Sequence, residues 1–215
     1  MEKFKKAAKW FFDSFIWLGL VLFILDIVTK NIVIQNGDYI RKQGGIVLIP
    51  GFLRINYLIN QNVAFGISLG SPLTNRIVFS IIALLACAGI MVYLIKKWDK
   101  TTKFYRAILF MVISGALGNV VDRLFYSAEY LNYEGIQGVV DWIDFYGIWG
   151  FNFNVADSAI VVAAFMILIA FIVEEVVEFK NKRKLEKEAD DKEEGRVLSA
   201  SEKEKEDLLN QNKDE

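Results

Sequence analysis

Four runs of apolar residues, at 15–34, 77–95, 104–121 and 154–173, dominate the chain. Each approaches the roughly 20 residues a helix needs to cross a hydrocarbon layer about 30 Å thick. Between the first two runs the period changes. Leu53, Ile55, Tyr57 and Ile59 alternate with Arg54, Asn56, Leu58 and Asn60 after the turn signal Pro50-Gly51, which predicts a short, half-buried strand. Ser71-Pro72 offers a cap and a first-turn proline to the second apolar helix. The first run contains Asp26 and Lys30 and lacks a small-residue cleavage site, so it reads as a span rather than a cleaved signal peptide.

Composition agrees: 54% of the 215 residues are hydrophobic and the mean hydropathy is +0.32. The expected fold is a mainly α membrane protein with four transmembrane helices and a small extracytoplasmic β-structured segment. The net charge of −1 hides a segregation by position. Lysines crowd residues 1–9, the connection 96–106 and the stretch after 179, whereas 124–153 has no lysine or arginine. Basic connections stay in the cytoplasm, which predicts both termini inside and external segments at 35–70 and 124–153. A four-helix membrane domain is expected over 1–179, followed by a charged cytoplasmic tail, 180–215, that is a solvated helix or disorder.

The chain has no histidine. That excludes Ser-His-Asp and Cys-His catalysis and the His-containing zinc motifs. The single cysteine, Cys87, lies within an apolar run and reads as a small buried side chain. No His/Cys/carboxylate cluster has metal-ligand spacing, so neither a metal nor a cofactor is expected.

The predicted topology brings the polar residues of the spans to one level. Asp26 and Lys30 lie in the outer half of span one; Asn119, Asp122 and Arg123 end span three; and Asp157 begins span four. Asn60 and Asp141 belong to the adjoining external segments. Helical spacing puts Gly115, Asn119, Asp122 and Arg123 on one face, and Asp26 and Lys30 one turn apart on another. For Asp26/Lys30 and Asp122/Arg123, a packing ion pair or helix-end anchor competes with a direct chemical role. Asn154, Asp157 and Ser158 repeat the spacing in span four. An ionisable group at such a depth is costly and marks a functional site.

Asp141 and Asp157 flank an aromatic, glycine-containing turn and have no basic residue nearby in sequence. Two acids in a partly dry site do not both ionise easily, which is the requirement of aspartic proteolysis. The sequence leaves open which is acid and which base. A proton relay through Asp26, Lys30, Asp122 and Asp157 is a rival reading, but the inner halves of the spans are nearly all apolar. A non-enzymatic scaffold, with incidental aspartates, is the other.

Five segments carry a resemblance. Asp26-Ile-Val-Thr-Lys30, Asn60-Gln-Asn-Val-Ala-Phe65, Gly115-Ala-Leu-Gly-Asn-Val-Val-Asp-Arg123, Val139-Val-Asp141 and Phe153-Asn-Val-Ala-Asp-Ser158 occur in order and together resemble bacterial lipoprotein signal peptidase, the signal peptidase II family. The resemblance implies a membrane aspartyl endopeptidase of the bacterial plasma membrane. It would remove signal peptides from prolipoproteins just before their diacylglyceryl-cysteine, with Asp141 and Asp157 as catalytic dyad at the outer face. It further implies that Asn60, Gly115, Asn119, Arg123 and Asn154 line the substrate site and that Asp26, Lys30 and Asp122 support it. The expected partners are lipidated prolipoproteins and membrane lipid, with no nucleic acid and a monomeric enzyme. Asn62 and Val63 depart from the glycine and alanine usual in the family. The aromatic residues between the aspartates, among them Trp142, Tyr146 and Trp149, read as an interfacial belt or a lid.

Overall fold

A computed structural model describes residues 1–61 and 70–211; the two departures at Asn62 and Val63 lie outside them. The elements in order are α1 (Glu2–Ser14), α2 (Ile16–Gln35), α3 (Gly37–Lys42), β1 (Ile46–Ile49), β2 (Leu53–Asn60), α4 (Pro72–Lys97), a 3-10 turn (Trp98–Lys100), α5 (Lys103–Phe125), the single turn α6 (Ala128–Leu131), β3 (Val139–Asp144), β4 (Asn152–Phe153) and α7 (Val155–Gln211). Two compact units result, Met1–Met166 and Ile167–Glu215.

Among the described residues, four helices are long and apolar enough to cross a membrane: Ile16–Gln35, Pro72–Lys100, Lys103–Phe125 and Val155–Glu186. Their outward side chains, such as Ile24, Val28, Ile81, Leu85 and Phe165, are exposed apolar groups that only lipid would cover. Local chemistry sets the helix starts. The Ser71 hydroxyl accepts from Thr74 N at 3.1 Å with Pro72 in the first turn, and Thr102 caps α5 by accepting from Tyr105 N at 3.4 Å.

In the first unit α5 is the central helix, packed against both α2 and α4. Close approach depends on small residues. A Cβ on Gly115 would stand 2.4 Å from the Ala156 carbonyl oxygen, and one on Gly118 would stand 2.5 Å from Asp26 Oδ2. Ala156, Ala159 and Ala163 are all buried along the first turns of α7.

The sheet is antiparallel in the order β1-β2-β3-β4. Only β2 is expected from its alternation. β3 reads in sequence as part of an external connection because its Val139-Val140 start is apolar on both faces. Pairing of Leu58 with Asp141 and Ile59 with Val140 divides the sheet into two faces. Tyr57, Ile59 and Val140 point into a core shared with Val33, Ile40, Tyr126 and Leu131. Asp141, Leu58 and Asn60 occupy the opposite face.

The second unit is the rest of α7. Lys182 pairs with Glu178 at 3.0 Å, and the tail from residue 180 is helical to Gln211.

Candidate active site

Lys30 projects from the second half of α2 into an interior with no water access; its exposure is 0%, as is that of Asp122, and Asp26 shows 1%. A buried ammonium has to be compensated by charge and hydrogen bonds. Its Nζ lies 2.7 Å from Asp26 Oδ2 and 2.9 Å from Asp122 Oδ2, and donates to Asn119 Oδ1 at 3.2 Å. Two carboxylates and one amide oxygen thus surround the ammonium within 3.2 Å.

Each carboxylate of this triad reaches one more group. Asp122 Oδ2 accepts from the backbone amide of Val140 at 2.9 Å, and Asp26 Oδ1 accepts from that of Ala156 at 2.9 Å. Val140 precedes Asp141 on β3, and Ala156 precedes Asp157 in the first turn of α7. Asp26 also places a negative charge at the N-terminus of α7, where the helix dipole favours it. Asp26 and Lys30 form the ion pair their spacing suggests, Asp122 joins Lys30, and the resulting triad grips the backbone beside both aspartates.

Two asparagines complete the connection. Asn154 precedes α7 and caps it, rather than lying inside the fourth helix as its spacing suggests: its Oδ1 accepts from Asp157 N at 2.8 Å. Its Nδ2 donates to Asp141 Oδ1 at 2.9 Å and to Asn119 Oδ1 at 3.1 Å. Asn119 Nδ2 in turn donates to Asp157 Oδ1 at 2.7 Å, while Asn60 Nδ2 donates to Asp141 Oδ2 at 2.9 Å. Burial, and then the negative charge of Asp157, push the Asp141 carboxyl up to about 8. The two acids are linked through Asn119 and Asn154, each of which bonds one of them and the other asparagine.

Arg123 follows Asp122 near the end of α5, and its Nη1 donates to the Asn119 carbonyl at 3.3 Å. Gly115 sits one turn before Asn119 on α5, against Ala156 and Ile160.

A model of the signal peptidase (SPase) II family matches residues 18–173, which include every residue of the site just described. The chain belongs to the signal peptidase II family. Among its relatives, a lipoprotein signal peptidase from Fusobacterium nucleatum is 36% identical over 159 residues, or 74% of this chain and 86% of the relative. One from Desulfitobacterium hafniense is 34% identical over 166 residues, 77% of this chain and 97% of the relative. A solved bacterial membrane enzyme structure aligns with a TM-score of 0.56 at 27% identity, covering 75% of this chain and 89% of that one. A second aligns at 0.53 and 28%, covering 74% and 92%.

For this signal peptidase II relative, the sequence reading misses one residue at the site. Arg76 Nε donates to the Arg123 carbonyl at 2.9 Å, and its Nη1 hydrogen-bonds Gln137 Oε1. It thereby fastens the end of α5 to the approach to β3. The signal was available: Arg76 is the only charge between Pro72 and Ile95.

Proposed function

We propose that the chain is a membrane aspartyl endopeptidase that removes signal peptides from diacylglyceryl-modified prolipoproteins, cutting N-terminal to the lipidated cysteine. The observation that carries this is the joint grip of Asn154 on both acids, through Asp141 Oδ1 and the Asp157 amide. In this mechanism the pair shares one proton at neutral pH, with Asp141, raised by burial and by the charge of Asp157, as its carrier. Asp141 passes its proton to the scissile carbonyl oxygen while Asp157 takes a proton from water. The hydroxide adds to the carbonyl carbon to give a tetrahedral diol. Return of the first proton and transfer of the second to the leaving nitrogen then break the C–N bond, giving a carboxylic acid and the new amino-terminal cysteine. The pair ends with the protons it started with.

Arg123 and Asn60 bind the substrate backbone, and the ion triad supports the dyad from below. The basic clusters favour a topology with both termini cytoplasmic and the site at the outer leaflet of the bacterial plasma membrane. The acyl chains of the substrate then remain in hydrocarbon while the peptide bond reaches water.

The test is a gel-shift assay of a purified, diacylglyceryl-modified prolipoprotein with the wild-type protein, Asp141→Asn and Asp157→Asn, alongside an unlipidated control. Each variant is expected to lose at least about a thousandfold in turnover while remaining monodisperse and thermally folded. Substantial cleavage by either folded variant, or equal cleavage of the unlipidated precursor, overturns the reading.

A further inference from the structure

Residues 2–14 lie before the stretch matched to the family, 18–173, and nothing in the chemistry above uses them. They form α1, which ends at Phe15 with φ 63, a left-handed conformation that breaks the path into α2. The break is fastened on both sides. The Ser14 hydroxyl donates to the Phe11 carbonyl at 2.6 Å and accepts from Ile16 N at 3.2 Å, while Trp17 Nε1 donates to the Phe12 carbonyl at 3.1 Å. Ser14 is fully buried at this corner. α1 is therefore a separate helix with a fixed departure.

Two contacts set its level. Trp10 stacks on Trp98 at 5.8 Å, and Asp13 Oδ1 accepts from Lys103 Nζ at 2.6 Å. Trp98 follows the last residue of α4, and Lys103 is the first of α5. Both mark the points at which membrane-crossing helices leave the apolar layer, so α1 is held at that boundary. It is the end of α5 opposite Asp122 and Arg123.

At 100° per residue, Phe4, Ala7, Ala8 and Phe11 share one side of α1, and Lys5, Lys6 and Lys9 share the other. Phe4 is 78% exposed. The lysines are exposed as well, and the adjoining connection adds exposed Lys96, Lys97 and Lys100. Of the nearby acids, Asp13 is already paired with Lys103, Glu2 lies 4.0 Å from Lys6, and exposed Asp99 stands among Lys96, Lys97 and Lys100, so lysines still outnumber acids at this boundary. An apolar stripe beside a positive one, at a bilayer boundary marked by two tryptophans, fits the surface of an anionic leaflet. A second copy of the chain fits less well, because it would bring a second positive stripe against the first.

We propose that α1 is an interfacial helix that docks on anionic lipid, seating Phe4 below the headgroups while Lys5, Lys6 and Lys9 meet their phosphates. This stands apart from the peptidase reading and is tested without an activity readout. The full-length chain is placed in nanodiscs of phosphatidylcholine alone or mixed with phosphatidylglycerol, and spin labels are attached at Phe4→Cys or Lys5→Cys in a Cys87→Ala background. With phosphatidylglycerol, the label at 4 becomes accessible to oxygen and shielded from a nickel chelate, and the label at 5 stays in water. Replacing Lys5, Lys6 and Lys9 by Gln shifts the docked population by roughly a hundredfold toward water. Hydrogen exchange of residues 2–14 in the unsubstituted chain provides a label-free check, with protection rising only in the anionic discs. Equal water access at 4 and 5, equal protection in both lipids, or dipolar coupling between Phe4 labels on two copies overturns the proposal.

Discussion

The carboxylate of Asp122 accepts the backbone amide of Val140 at 2.9 Å, one residue before Asp141. The same oxygen lies 2.9 Å from Lys30 Nζ, so the ion triad and the strand that carries Asp141 share an atom. Replacing Lys30 by Met leaves Asp26 and Asp122 buried without compensation. We expect a loss of about 3–5 kcal/mol in stability, seen as a lower melting temperature in detergent, together with loss of cleavage. A double variant, Lys30→Met with Asp122→Asn, should recover part of the stability but not the activity, because the grip on Val140 is weakened. Full recovery of cleavage would show that the triad serves packing alone.

A pH profile tests the pair itself. Asp141 is pushed up to about 8 in the fold, against about 3.9 in an unfolded chain. Between those values the folded state holds a proton that the unfolded state has lost, so folding is favoured less as pH rises through the window. In the proposed mechanism activity requires the same proton. kcat/KM is therefore expected to fall by about tenfold per pH unit above pH 8, and a profile flat to pH 10 would exclude Asp141 as the proton carrier.

Arg123 offers a planar fork that lysine lacks. Arg123→Lys keeps a positive charge but loses the paired hydrogen bonds to substrate that the proposed mechanism gives the guanidinium, and a drop of roughly 10- to 100-fold in kcat/KM is expected. Unchanged kinetics would place the contribution in charge alone.

Gly115 tests the packing beneath the site. Gly115→Ala forces a methyl against the Ala156 carbonyl, where the gap is 2.4 Å, and displaces the helix start that carries Asp157. A cost of about 1–3 kcal/mol is expected from overpacking. The melting temperature reports it, and cleavage should fall with it; a stable, fully active variant would mean that α5 and α7 have slack there.

How far the sequence reached can be judged residue by residue. The four membrane helices, the half-buried strand ending at Asn60 and the Ser71-Pro72 start were legible because each rests on a local period or a local cap. The polar residues were legible as a set, since an ionisable side chain in an apolar run stands out wherever it occurs. Their partners were not. Asp26 lies 130 residues from the amide of Ala156 that it holds, and Lys30 lies 89 residues from Asn119. No period or spacing encodes contacts of that range.

The chain alone thus determined which groups pay the cost of burial, because hydrophobicity and charge are properties of each residue. The tertiary structure decided that Asp141 stands on a strand, that Asn154 caps rather than extends the last helix, and that Arg76 secures the carbonyl of Arg123. Those outcomes depend on where separate elements meet. There, a hydrogen bond forms only when distance and direction agree, and both are set by the packing of α2, α5, α7 and the sheet together.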